Sequence, residues 1–107
     1  IVGRLGTVIR TGGESVNPEP VEERLRGHEA VADVAVVGLA DPTWGQIVTA
    51  VVVADGPTPP TLDEHVDRCG DLAPYARPRR VELVDDIPRT PATGQIDRST
   101  LADRLGG

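Results

Sequence analysis

Val31-Ala32-Asp33-Val34-Ala35-Val36-Val37-Gly38-Leu39, then Asp41-Pro42-Thr43-Trp44-Gly45, then Ile47-Val48-Thr49-Ala50-Val51-Val52-Val53-Ala54, is the stretch on which the fold turns. The first run alternates and is rich in Val and Ala, as a strand with at least one buried face is. The last is nearly continuous in β-branched residues and reads as a central strand. Between them Asp and Pro fix the start of a turn and Gly its exit, so the two strands are joined by a hairpin-like connection.

Working outward, Thr7–Arg10 is β-prone, Thr11-Gly12-Gly13-Glu14 has turn chemistry and Ser15-Val16-Asn17 can return, which gives a small N-terminal hairpin. Pro18 and Pro20 open a helix that Gly27 stops; Val21, Leu25 and His28 share a face, and Glu19, Glu22 and Glu23 suit the positive end of the helix dipole. After a proline-rich loop at 57–60, Thr61 and Glu64 have the spacing of a capping box, with Leu62, Val66 and Cys69 facing the core. Two prolines interrupt Leu72–Pro78, Arg80–Val84 alternates as a third main strand, and a short helix over Ser99–Leu105 closes the chain. The expected fold is α+β: a small three-stranded sheet with helices packed on one face, plus the N-terminal β-hairpin.

A length of 107 residues suits one domain with one core and is too small for a nucleotide-activating enzyme with its own substrate pocket. Ile1 in place of Met suggests a fragment or processed chain with its natural N-terminus upstream. The net charge of −6, and an aromatic inventory of Trp44 and Tyr75 alone, argue against nucleic acid, which calls for clustered cations or stacking platforms. No apolar run is long enough for a membrane span. With Cys69 the sole cysteine and no signal-peptide pattern, the cytoplasm is the default compartment. His28 and His65 lie on helices with no Cys or paired acids at ligand spacing, so no metal site is expected and both read as surface or boundary residues. Cys69 beside Val66 reads as a small buried hydrophobe. All 11 positive charges are arginine; the absence of lysine reflects either a lineage bias or relaxed selection on a lost catalytic lysine.

Several blocks, in order, carry a resemblance. They are Gly3-Arg4, Ile9 and Gly12-Gly13-Glu14; Pro18 with Val21-Glu22; Ala35-Val36-Val37-Gly38, Asp41-Pro42 and Trp44-Gly45-Gln46; Leu72-Ala73-Pro74-Tyr75 with Pro78; and Val84-Asp85 with the closing Ile87-Pro88-Arg89-Thr90-Pro91-Ala92-Thr93-Gly94-Gln95-Ile96-Asp97-Arg98. Together they resemble the C-terminal domain of the adenylate-forming (AMP-binding) superfamily: acyl-CoA synthetases, peptide-synthetase adenylation domains and luciferases. An unrelated ferredoxin-like binding domain would account for the order of strands and helices but not for these blocks together.

The resemblance implies a hinge or linker remnant at 1–6 and the domain proper at 7–107, with the N-terminal domain that holds ATP and acid absent. It implies an acid–thiol ligase using ATP/Mg and coenzyme A in the full-length enzyme, neither bound by this domain alone. The partners are then its own N-terminal domain, a fatty or aromatic carboxylic acid, and the pantetheine of CoA or a carrier protein. Carried over residue by residue, Gln95 stands where the family has its adenylation lysine, Gly6 at the hinge, and Gly12, Gly13 and Glu14 in the thiol-channel loop. Arg89, Thr90 and Gly94 support the loop around Gln95. The residues of Gly12-Gly13 alone fit either a close approach of pantetheine or a plain hairpin turn. Gln95, Gly6 and Thr7 all depart from the family pattern. A degenerate, non-adenylating relative serving binding or thioester transfer therefore stands as the alternative, and the isolated domain is expected to be inactive.

Overall fold

The structure is a computed structural model and describes residues 8–56 and 61–105. Gly3, Arg4, the hinge candidate Gly6, Thr7 and the 57–60 loop lie outside the described residues. The elements run β1 (Ile9–Thr11), β2 (Glu14–Val16), α1 (Pro18–Arg26), β3 (Val31–Asp41), β4 (Gly45–Ala54), α2 (Leu62–Arg68), a 3₁₀ turn (Pro74–Ala76), β5 (Arg80–Leu83) and α3 (Arg98–Arg104).

The long hairpin of β3 and β4 is the spine, paired antiparallel from Val31↔Ala54 to Asp41↔Gly45 with one irregularity between Val31 and Asp33. Its turn is built by Asp41, whose carboxylate accepts the amides of Thr43 at 2.9 Å and Trp44 at 2.8 Å. On the far side of β4, β5 runs parallel to it from Thr49↔Arg80 to Val52↔Leu83, with α2 in the crossover. The β1–β2 hairpin joins that same side through Thr11↔Gly45, so the main strands and the hairpin form one five-stranded sheet.

Local chemistry sets the helix ends. Asn17 accepts the Glu19 amide ahead of Pro18, and Thr61 and Glu64 form the reciprocal capping box at 3.2 and 2.8 Å. Both faces of the spine are apolar and both are covered. Ile9, Val16, Val34, Val36, Val48, Ala50 and Val52 pack with Val21 and Leu25 of α1 and with Cys69. Ala35, Val37, Leu39 and Val51 pack on the opposite side with Ile87 and with Leu101 of α3. The expectation of helices on one face alone is thus corrected. Residues 87–98 carry the chain past the outer edge of β3, and α3 covers the second face.

His65 corrects a further expectation: it has no accessible surface. Helix α2 turns His65 and Cys69, four residues apart, into the core, while Leu62 and Val66 are only partly buried. Neither His65 ring nitrogen has a hydrogen-bond partner, and burial pushes its pKa below the ordinary histidine value. His28 lies 6.1 Å away between ring centres, part-buried, with Nδ1 accepting the Ala30 amide.

Candidate functional site

Residues 88–97 form a closed loop whose stem is the antiparallel bridge Arg89↔Ile96 and the bond from the Asp97 amide to the Pro88 carbonyl at 2.9 Å. Inside it the Thr90 amide donates to the Gln95 carbonyl and the Gly94 amide to the Thr90 carbonyl, both at 2.8 Å. The Thr90 and Thr93 hydroxyls meet at 2.7 Å. Gly94 takes a φ of +71° to close the turn, and Gln95 is exposed beside it. Arg89, Thr90, Gly94 and Gln95 are therefore brought together in one hydrogen-bonded turn. The loop is rooted by Ile87 in the second core and by Asp97, which caps α3 through the Thr100 amide at 3.1 Å and hydroxyl at 2.9 Å.

Arg89 reaches back to Asp33 of β3 in a two-pronged pair, Nη1 to Oδ2 at 2.7 Å and Nη2 to Oδ1 at 3.0 Å. The guanidinium holds the Asp33 carboxyl below the usual range. The pair is therefore intact above about pH 4 and is lost only as pH falls through that depressed value. Arg98 donates to Glu22 of α1 at 2.6 Å and to the Val36 carbonyl at 3.2 Å, while Glu22 accepts the Val36 amide at 2.7 Å. Nothing local in the sequence pairs Asp33 with Arg89 or Glu22 with Arg98, which lie 56 and 76 positions apart. The one available signal was Glu22 itself, a carboxylate beside Val21 on the core face of α1, which demands a cation.

The second candidate site is the β1–β2 turn. Gly12 and Gly13 have φ of +58° and +86°, a region open to glycine at little cost. A Cβ on Gly12 would lie 2.7 Å from Trp44 Cε3, so the Trp44 ring packs directly on the Gly12 backbone. The Gly12 amide also donates to the Trp44 carbonyl at 2.9 Å, and Arg79 stacks over the indole at 4.2 Å. Glu14 is exposed at the start of β2. A Cβ on Gly13 would meet nothing within 4 Å, so this backbone is open to an approaching molecule.

The structure does not bring the two sites together. Gly12 is tied to the start of β4 at Trp44 and Gly45, whereas Arg89 is tied to Asp33, which pairs with Val53 near the end of β4. At roughly 3.4 Å per residue, those attachments are about 27 Å apart along the strand. Among the described residues no group of three or more His, Cys, Asp or Glu side chains could hold a metal ion.

The family described as "AMP-binding enzyme C-terminal domain" matches residues 20–93. A 4-chlorobenzoate–CoA ligase from an Arthrobacter species is 42% identical over 106 residues, 99% of this chain and 20% of that protein. A probable 2-succinylbenzoate–CoA ligase of Mycobacterium tuberculosis is 45% identical over 111 residues, covering 100% of this chain and 28% of that protein. A solved Mycobacterium tuberculosis fatty acyl CoA synthetase superposes with a TM-score of 0.79 at 38% identity, over 94% of this chain and 20% of its own. The chain thus spans between a fifth and a third of the length of these relatives, and it belongs to the AMP-binding enzyme C-terminal domain family, the C-terminal part of acyl-CoA synthetase-like adenylate-forming enzymes.

Proposed function

We propose that this chain is the mobile C-terminal lobe of an acid–thiol ligase of the acyl-CoA synthetase type. The full-length enzyme joins a fatty or aromatic carboxylate to AMP from ATP and then passes the acyl group to a pantetheine thiol of coenzyme A or a carrier protein. Its own N-terminal domain holds ATP, magnesium and the acid, and the protein works in the cytoplasm. The observation that carries this reading is the pair of presented loops at opposite ends of β4, one around Gln95 and one around Gly12-Gly13-Glu14. Their attachments lie about 27 Å apart along the strand, which favours each loop entering the active site in its own turn. A lobe that turns about a hinge at Gly6 presents them in succession.

Gln95 occupies the position whose cation would stabilise the carboxylate and phosphate oxygens as they meet. A neutral amide still donates hydrogen bonds but supplies no charge, which removes roughly 10²–10³ in rate by analogy with loss of an oxyanion donor. The absence of charge at Gln95 favours a second reading, a relative that has lost adenylation and retains binding or thioester transfer.

The test is ATP–pyrophosphate exchange by the full-length protein and its Gln95→Lys variant across fatty and aromatic acids. Strong exchange by the natural protein makes it a working ligase. Exchange by the variant alone makes it the non-adenylating relative.

A further inference from the structure

The loop that presents Gln95 is held on both stems by carboxylates from distant parts of the chain. On the incoming stem Arg89 lies in the two-pronged pair with Asp33, 56 positions away. On the outgoing stem Arg98 binds Glu22, 76 positions away, and the Val36 carbonyl. Both grips land on β3, at its outer edge, since β4 occupies the other side of that strand. There the Val34 amide is taken by Asp33 and the Val36 amide by Glu22. The same two carboxylates therefore close the open strand edge and hold the loop.

One attachment leaves a loop free to pivot; two, about 10 Å apart at Asp33 and Val36, fix its direction as well. Global stability is a poor account of both. Asp33 and Arg89 keep 27% and 40% of their side-chain surface in water, where an ion pair adds little to folding. The Glu22–Arg98 pair is nearly dry, and well-packed apolar residues in such a place are often at least as stable. What both pairs supply is geometry, because a planar guanidinium on a carboxylate is directional.

We infer that Asp33 and Glu22 are positioning residues for adenylation, which strap the two stems of the Gln95 loop to the β3 edge and so aim residue 95 at the reacting oxygens. The inference rests on the proposed adenylating role of that position.

The test uses the full-length protein carrying Gln95→Lys, with and without Asp33→Asn, an exchange that keeps the shape and removes the charge. The readouts are amide hydrogen exchange over residues 87–98, ATP–pyrophosphate exchange, and thioester formation from supplied acyl-adenylate. With Asp33→Asn, the loop amides of Thr90, Gly94 and Asp97 exchange about tenfold faster while the rest of the domain is unchanged. The kcat for pyrophosphate exchange falls about tenfold at constant KM, the scale expected for a modest misplacement. Thioester formation stays the same, and Asp33→Glu restores most of the lost kcat. Unchanged loop exchange, or equal losses in both half-reactions, overturns the inference. Absence of pyrophosphate exchange in the Gln95→Lys protein itself also overturns it; faster loop exchange on Asp33→Asn in that case identifies the role of position 95, and not the strap, as the failed step.

Discussion

His65 and Gly12 each settle a small conflict between what a residue prefers and where the fold puts it. Burying His65 strands two ring nitrogens, each at a cost of about 1–3 kcal/mol relative to an apolar group of like shape. Its surroundings add His28 across the α1–α2 contact, and Glu64 and Arg68 on its own helix. Unfolded, the ring titrates near 6.5; folded, burial holds it lower, so on acidification the unfolded chain takes up its proton first. Stability from this site is complete above pH 6.5 and declines as pH falls from there toward the depressed value. His65→Leu is expected to raise the urea midpoint at pH 7 and to flatten the loss of midpoint between about pH 7 and 5. At Gly12, alanine faces the Trp44 ring at 2.7 Å with a φ of +58°. Gly12→Ala is expected to cost about 1–2 kcal/mol and to displace the indole from Arg79. Trp44 is the only tryptophan of this chain, so a red shift and altered intensity of its emission check the outcome.

At the scale of elements, the β3–β4 hairpin, α1 from its prolines and α2 with its Thr61–Glu64 box were legible because turn and cap chemistry is local, whereas Asn17, expected to end a strand, caps α1. The loop of residues 88–97 was legible too, since Pro88, Pro91 and Gly94 rule out a regular element. The face on which α3 lies was not legible, and neither was the inward turn of His65. Both depend on contacts between residues far apart: Leu101 with Val37 and Val51 across the second core, and α2 against α1. The Glu22–Arg98 bridge joins α1, β3 and α3 through partners 76 positions apart, which no periodicity reveals. Its energetics give a sharp expectation. Arg98→Met leaves the Glu22 carboxyl at 3% exposure without its cation and is expected to cost about 3–5 kcal/mol. The double variant Glu22→Leu/Arg98→Met is expected to recover most of that loss, measured as the urea midpoint and slope for the wild-type, single and double variants. A double variant as unstable as the single one would show that the bridge itself, not the stranded carboxylate, carries the stability.

On the proposed function, the five-stranded sheet carries a candidate loop toward each end of its longest pairing, and that arrangement predicts how defects combine. A substitution in one loop is expected to alter only the proposed pose that presents it, because the β3–β4 spine between them is buried on both faces. Gly13 is the position to use. A Cβ there meets nothing within 4 Å, and asparagine tolerates a positive φ better than most residues, so the cost of Gly13→Asn is confined to backbone strain of about 1–2 kcal/mol. In the full-length Gln95→Lys protein, Gly13→Asn is expected to leave ATP–pyrophosphate exchange within about twofold while slowing thioester formation at least roughly tenfold by narrowing the path of the thiol. Keeping the natural Gln95 is expected to do the opposite, and the two effects to multiply in the overall ligation rate, as independent sites do. If Gly13→Asn instead slows both half-reactions alike, the two loops serve one pose, and the successive presentation argued from their separation along β4 is wrong.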